Sequence, residues 1–163
     1  MKRLVLGLAL IWRAAAVDAA DSATIDVVSA SGEILRYSVA DLERLGASEI
    51  RAVDPHSAKS QRYRGVALSV LLSKAGVPSG KALRGTALAT AIEVEAADGY
   101  RVAFSVGELD PGIGNTAALV AFKLDGMPLD EHIGPFRVVV PGDKRAARWV
   151  RQVVKIGVHE LRP

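Results

Sequence analysis

The sequence predicts a mixed α+β domain with a mainly antiparallel sheet and short helices. Short runs rich in β-branched residues outnumber the segments with helical spacing, and several of them are joined by tight turns. No pattern recurs at a period of about 20 to 50 residues, which excludes a solenoid. The length of 163 residues suits one globular domain.

Turn residues and apolar spacing fix the order of the predicted elements. Ser38 and Asp41 have the spacing of a helix cap, and Gly46 is a typical helix stop. The Asp98-Gly99 pair is a strong hairpin turn signal. The predicted order is strands at 24–29 and 33–39, a helix at 39–45, a strand at 49–53, a loop at 54–60, a helix at 66–75, paired strands at 86–95 and 100–106, and strands at 117–124, 136–140 and 149–159.

Residues 1–19 have the organisation of a secretory signal peptide. A positive start at Lys2 and Arg3 is followed by a short apolar run and then by small residues. The apolar run is too short to span a bilayer as a helix. We expect cleavage after residue 19, a periplasmic or secreted location, and a single domain over 20–163. The arginine between the apolar run and the small residues leaves an uncleaved amphipathic anchor or an incorrectly assigned start of the chain as alternatives.

Charge and cysteine content exclude several classes of function. The chain carries 21 basic and 18 acidic residues. Removal of residues 1–19 takes away three basic residues and one acidic residue, which leaves 18 and 17 and a net charge of +1. That balance lacks the basic surplus of a nucleic-acid-binding protein, so no nucleic acid is expected as a partner. The absence of cysteine excludes a disulfide framework and a thiolate metal site in this chain.

Three further patterns give no support for a site. Residues 112–117 have the letters of a dinucleotide-binding turn, but a proline precedes them and a strand-like run follows them. The three histidines are far apart and show no metal-ligand spacing. Glu93 and Glu95 would share one face of a strand, where exposed charge is more common than an acid–base pair.

The segment 132–142 carries the most chemical information. A Gly-Pro pair fixes a turn, an apolar strand follows with Arg137 at its start, and Pro-Gly ends that strand. His132, Arg137 and the cationic loop at 144–148 could converge on an anionic or heteroaromatic ligand. The alternative is that Arg137 pairs with a nearby acid and that the other residues are solvated surface.

The same segment resembles the molybdopterin-binding domain of the sulfite oxidase family. The family pattern is His-x-x-Pro-x-Arg, a valine run, Pro-Gly, and a basic residue before Trp, and residues 132–149 are similar to it. Residues 63–66, 98–100 and 124–129 are similar to other family segments, in the same order. The resemblance covers about residues 53–158 and implies a mixed α+β domain that holds a pterin.

The resemblance also implies a set of binding residues. His132 and Arg137 correspond to residues that contact the phosphate or the ring edge of the cofactor, Arg148 to the basic residue before Trp, and Asp98 to an acid near the hairpin. Three aromatic side chains could stack on the pterin ring, with core packing as the alternative for each. The implied pterin-binding residues are therefore His132, Arg137, Arg148, Asp98, Tyr63, Tyr100 and Trp149.

The sequence departs from the family's enzymes at the metal. Those enzymes ligate molybdenum through a cysteine at a strand end, where this chain has Val53-Asp54-Pro55-His56. A carboxylate or an imidazole there would make a different metal site from a thiolate. We therefore expect a pterin or molybdopterin bound non-covalently, with no metal ligated by the protein and no catalytic residue.

The expected function is that of an exported, non-catalytic pterin-binding protein. Small cysteine-free relatives of this fold act as periplasmic pterin receptors for membrane signalling proteins, and this chain is similar to them in size and leader. A membrane signalling or redox protein is thus the expected partner. Two alternatives remain open, namely a molybdenum-cofactor oxidoreductase or its subunit, and a scaffold domain without a small ligand.

Overall fold

The structure is a computed structural model that describes residues 23–161, so the predicted leader at 1–19 lies outside the described residues. The first of two sheets has five strands: Thr24–Val28 (β1), Ile34–Ser38 (β2), Thr90–Ala96 (β5), Arg101–Ser105 (β6) and Val153–Glu160 (β10). Their order is β2-β1-β10-β5-β6. Only the pairing of β1 with β10 is parallel, and the other pairings of this sheet are antiparallel.

The second sheet is antiparallel throughout the described residues. Its strands are Ser48–Val53 (β3), Ser60–Ala67 (β4), Leu119–Leu124 (β7), Met127–Pro128 (β8) and Arg137–Val139 (β9). The order runs β3-β4-β7, and both β8 and β9 pair with β7. The two sheets confirm the predicted mixed, mainly antiparallel architecture.

Within the described residues there are three short α-helices: Val39–Arg44 (α1), Leu68–Lys74 (α2) and Val106–Leu109 (α3). The first of them begins with the capping box that its sequence predicts. Ser38 Oγ accepts the backbone N–H of Asp41 at 3.2 Å, and Asp41 Oδ2 accepts the backbone N–H of Ser38 at 2.9 Å. Two N–H groups that lack helical partners are thereby satisfied.

The hydrophobic core is one cluster to which both sheets and all three helices contribute. Strand β5 shows how the sequence builds it, because Ile92 and Val94 are fully buried while the intervening glutamates face outward. One of these, Glu95, forms ion pairs with Arg101 at 3.3 Å and Lys155 at 2.6 Å. The outward charges are therefore a paired surface of the sheet.

Strand β4 is the main correction to the predicted elements. The sequence placed a helix at 66–75, whereas the chain remains extended to Ala67 and α2 begins at Leu68. Gly65 explains the difference, because an added Cβ would lie 2.1 Å from the carbonyl oxygen of Val120 on β7. The glycine interrupts the apolar alternation but permits the close approach of the two strands at a shift in their register.

Two smaller findings concern the start of β10 and the length of the helices. The predicted strand at 149–159 begins only at Val153, because residues 146–149 form a turn before it. No helix among residues 23–161 is both long enough and apolar enough to cross a membrane.

Candidate functional site

A cleft of about 620 Å³ brings together residues from four separate parts of the chain. Its walls are the loop after β3, the β5–β6 hairpin, the segment that leads into β9, and the segment that precedes β10. The volume lies within the usual range for small-molecule sites. The charged, polar or aromatic side chains on its walls are His56, Asp98, Tyr100, His132, Arg137, Trp149, Arg151 and Gln152.

Arg137 is the buried cation of this cleft. It begins β9, and only 4% of the residue is exposed. Its Nη2 donates to Asp54 Oδ2 at 3.0 Å, and the two side chains form an ion pair that is almost wholly enclosed. The sequence left open whether Arg137 pairs with an acid or faces a ligand. The structure shows the pair and also places Arg137 on the cleft wall.

Asp54 is fixed by the loop in which it lies. Its Oδ1 accepts the backbone N–H groups of His56 at 2.8 Å and Ser57 at 3.3 Å. Burial raises the pKa of this carboxyl, but the N–H of His56 and the charge of Arg137 act against it, so that the pKa of Asp54 lies below its usual range. Both oxygens of Asp54 are thus engaged with the protein.

Two aromatic rings hold the guanidinium of Arg137 in place. Its central carbon lies 5.1 Å from the ring centre of Trp149 and 5.9 Å from that of Tyr63. The two rings meet edge to face at 5.8 Å, and the indole N–H of Trp149 donates to the carbonyl of Val140 at 2.9 Å. These contacts use Trp149 and Tyr63 as supports for the cation.

One hydrogen-bonding group of Arg137 is left without a partner. Its Nε is buried and makes no hydrogen bond within residues 23–161. A buried donor without an acceptor is costly, and such groups are few in folded proteins. The contact with Trp149 offsets part of this cost, but the N–H still lacks an acceptor.

Tyr100 is the aromatic side chain of the cleft that offers open surface. It is 48% exposed, whereas Trp149 is 3% exposed and Tyr63 is fully buried. Its hydroxyl donates to the backbone carbonyl of Ala147 at 2.8 Å and so joins the β5–β6 hairpin to the turn before β10. Of the three aromatic residues implied by the resemblance, Tyr100 alone has a substantial face available for a planar ligand.

The rim of the cleft is polar and exposed. Asp98 Oδ1 accepts the backbone N–H of Tyr100 at 2.9 Å, and the residue is exposed at the hairpin turn. The His132 side chain is 83% exposed, and its Nε2 lies 4.0 Å from a carboxylate oxygen of Glu131. Both predicted residues therefore lie at the mouth, and Arg137 lies deeper.

Arg148 does not lie on the cleft wall. Its guanidinium forms ion pairs with Asp143 at 2.6 Å and Glu108 at 3.0 Å and lies 4.7 Å from the ring centre of Phe104. The hydrogen bonds that Arg148 donates to Asp143 raise the pKa of Arg148, and Glu108 adds to this effect. The arginine that reaches the cleft is Arg151, three residues further along the chain.

Three wall residues escaped the sequence analysis as ligand contacts, namely His56, Arg151 and Gln152. His56 was considered only as a metal ligand, and neither Arg151 nor Gln152 was assigned a ligand contact. No group of three or more histidine, aspartate or glutamate side chains within residues 23–161 is arranged to hold a metal ion. At the strand end where the family's enzymes carry cysteine, the carboxylate of Asp54 is paired with Arg137.

Comparison with known proteins gives the family. The model of the oxidoreductase molybdopterin binding domain matches residues 15–162. The chain belongs to this family. Membership confirms the sulfite oxidase-like assignment made from the motifs around Arg137.

A solved relative confirms the fold. The sulfane dehydrogenase SoxCD from Paracoccus pantotrophus matches with a TM-score of 0.66 and 21% identity. The match covers 87% of this chain and 39% of that one, so this chain spans about two fifths of the solved chain's length. No curated protein matches the sequence at a significant level.

The cleft suits the pterin ring of a molybdopterin better than its metal. Its size, the exposed ring of Tyr100 and the position of Arg137 on its wall suit a planar heteroaromatic ring that carries carbonyl and ring-nitrogen acceptors. The cleft offers no comparable site for the metal. At the position that corresponds to the family's cysteine, both carboxylate oxygens of Asp54 already accept hydrogen bonds within the protein. The residues present therefore fit a pterin and do not fit a protein-ligated molybdenum.

Proposed function

We propose that this protein binds a pterin in the cleft around Arg137 and ligates no metal. The observation that carries the proposal is Arg137 itself, a buried, ion-paired cation on the wall of a ligand-sized cleft. The pterin ring lies against Tyr100 and takes hydrogen bonds from the guanidinium. His132, Asp98, His56 and the exposed Arg151 side chain bind the outer part of the ligand.

A binding role follows from the chemistry at Asp54. Family enzymes need a soft, anionic ligand for molybdenum, and a carboxylate already paired with a guanidinium at 3.0 Å cannot supply it. The protein keeps the cofactor-sized cleft and uses the metal position for a structural ion pair. It therefore acts by binding a ligand and not by redox chemistry.

The proposed place of action is outside the cytoplasm. The organisation of residues 1–19 supports export, and the near-neutral charge of the remainder is consistent with a small-molecule ligand and a protein partner. In this proposal, the loaded protein is a receptor that reports on pterin to a membrane signalling or redox protein.

Titration with a reduced pterin tests the binding function. Fluorescence or calorimetry should show one pterin per chain for the unaltered protein. Arg137→Lys keeps the charge but loses the forked donor, and affinity should fall by roughly 1.5–3 kcal/mol, or about 10- to 150-fold. Arg148→Lys is the matched control, since Arg148 is held by Asp143 and Glu108 away from the cleft, and it should leave affinity unchanged.

Two results would refute the proposed function. The unaltered protein could fail to bind any reduced pterin at millimolar concentration. Alternatively, Arg137→Lys could bind as tightly as the unaltered protein and the Arg148→Lys control do, which would place the ligand elsewhere. Circular dichroism of each variant establishes that it is folded before binding is compared.

A further inference from the structure

The charges around the cleft are balanced. Arg137 and Arg151 are the two arginines of the walls, and Asp98 lies at the rim. Asp54 lies directly behind the wall and contacts Arg137. The two histidines of the mouth are solvent-exposed. Apart from the histidines, two positive and two negative charges surround the ligand space, so these four groups give no net attraction to an anion.

The buried charges of the cleft act on a ligand more strongly than the exposed charges do. Arg151 and Asp98 are exposed, where water and salt screen their effects on a ligand. Asp54 and Arg137 are 7% and 4% exposed, so the field of each acts at close range with little screening. The buried pair therefore decides the ligand charge that the deep part of the cleft accepts.

The partners of the Arg137 guanidinium show which ligand groups the deep part of the cleft can accept. Its counter-ion is already present, because Asp54 Oδ2 accepts from Nη2 at 3.0 Å. Its Nε has no acceptor. Arg137 thus has its counter-charge within the protein and does not need a second negative charge from a ligand. A phosphate at this point would lie next to the carboxylate of Asp54 and would be repelled by it.

We infer that Asp54 is a specificity-determining residue that makes the cleft select uncharged pterins over phosphorylated ones. The inference rests on the proposed pterin-binding function. A ring carbonyl or ring nitrogen satisfies the guanidinium without adding charge, whereas a phosphate group adds a negative charge beside an existing one. The phosphate-bearing part of a molybdopterin therefore does not fit this arginine, although a pterin ring does.

Paired titrations with neopterin and neopterin monophosphate, both in the reduced dihydro form, test the inference. The unaltered protein should bind neopterin at least about tenfold more tightly. Asp54→Asn removes the buried charge and should cut this preference by about tenfold or reverse it, mainly by strengthening binding of the phosphate. Asp54→Ser is a second neutral variant, whose hydroxyl can still accept the N–H of His56. Thermal unfolding shows which of the two neutral variants is folded, and the titrations are made with that variant.

Glu131→Gln is the matched control for the loss of a carboxylate near the cleft. The Glu131 side chain is 90% exposed and lies next to His132 at the mouth. Because solvent screens an exposed charge, this variant should keep the preference of the unaltered protein. A change confined to the Asp54 variants then belongs to the buried charge and not to the overall net charge.

The outcomes separate the inference from the proposed function. Equal affinity for the two pterins, or tighter binding of the phosphate, would overturn the inference and leave pterin binding intact. An undiminished preference in a folded neutral Asp54 variant would likewise overturn it. If the unaltered protein binds neither compound, the proposed function itself fails. A preference for neopterin that disappears in the Asp54 variants and persists in Glu131→Gln supports the inference.

Discussion

Removal of the Arg137 side chain should destabilise the protein even without any ligand. Arg137→Met keeps an unbranched apolar chain against Trp149 but leaves Asp54 buried without its counter-charge. Breaking a buried ion pair from one side costs about 3–5 kcal/mol. The backbone N–H groups of His56 and Ser57 still bind Asp54, so we expect the lower end, about 3 kcal/mol.

Urea unfolding at pH 7 measures this loss. The midpoint should fall while the slope of free energy against urea stays unchanged. In a thermal scan, about 3 kcal/mol corresponds to a decrease in Tm of roughly 6–12 °C. Arg151→Met removes the exposed arginine of the same cleft and should change stability by less than about 0.5 kcal/mol.

The sign of the pH dependence distinguishes a lost ion pair from lost packing. The pKa of Asp54 is lowered in the folded protein, so its contribution is present above its unfolded pKa, about 4, and is lost as pH falls through the folded pKa. The penalty in Arg137→Met comes from the charged carboxylate and should diminish as Asp54 is protonated. The stability difference between the two proteins should therefore shrink below about pH 4.

Two results would refute this account of the pair. One is a stability of Arg137→Met within about 1 kcal/mol of the unaltered protein at pH 7. The other is a difference that persists at low pH, which would assign the loss to packing against the aromatic rings. A double variant, Arg137→Met with Asp54→Asn, should recover part of the lost stability, because no unpaired charge remains.

Three further predictions concern other parts of the chain. Gly65→Ala should cost about 3 kcal/mol or prevent folding, since its Cβ would meet the β7 backbone at 2.1 Å, whereas Gly142→Ala, with open space around it, should be nearly neutral in urea unfolding. Tyr100→Phe removes the hydrogen bond across the cleft mouth and should speed pterin dissociation several-fold in stopped-flow measurements, with stability changed by about 1 kcal/mol or less. The pKa of Asp41, lowered to about 2 by hydrogen bonds from Ser38 and neighbouring groups, should appear in an NMR titration, and its helix-capping contribution should be lost as pH falls from about 4 towards 2.

The elements that the sequence predicts well are those set by neighbouring residues. The α1 cap follows from Ser38 and Asp41, three residues apart, and the β5–β6 hairpin follows from its Asp-Gly turn. Strand β4 was missed because its course depends on a partner. Gly65 lacks strand propensity on its own, and only the approach of β7 at more than 50 residues' distance gives it a role.

The site shows the same division between local and distant causes. The pattern around Arg137 marks it as a ligand contact, but its ion pair with Asp54 joins residues 83 apart and has no sequence signal. Arg148 and Arg151 are equally basic in the sequence. The turn at Ala146–Arg148 directs the first towards Asp143 and leaves the second on the cleft wall, and such a difference depends on backbone geometry.

The composition of the protein purified from the exported fraction tests the central claim most directly. Elemental analysis for molybdenum is combined with mass and fluorescence detection of the small molecule released on denaturation. We predict about one pterin per chain and molybdenum far below one atom per chain. One molybdenum atom per chain would contradict the account, since the metal would then be held despite the engaged carboxylate of Asp54.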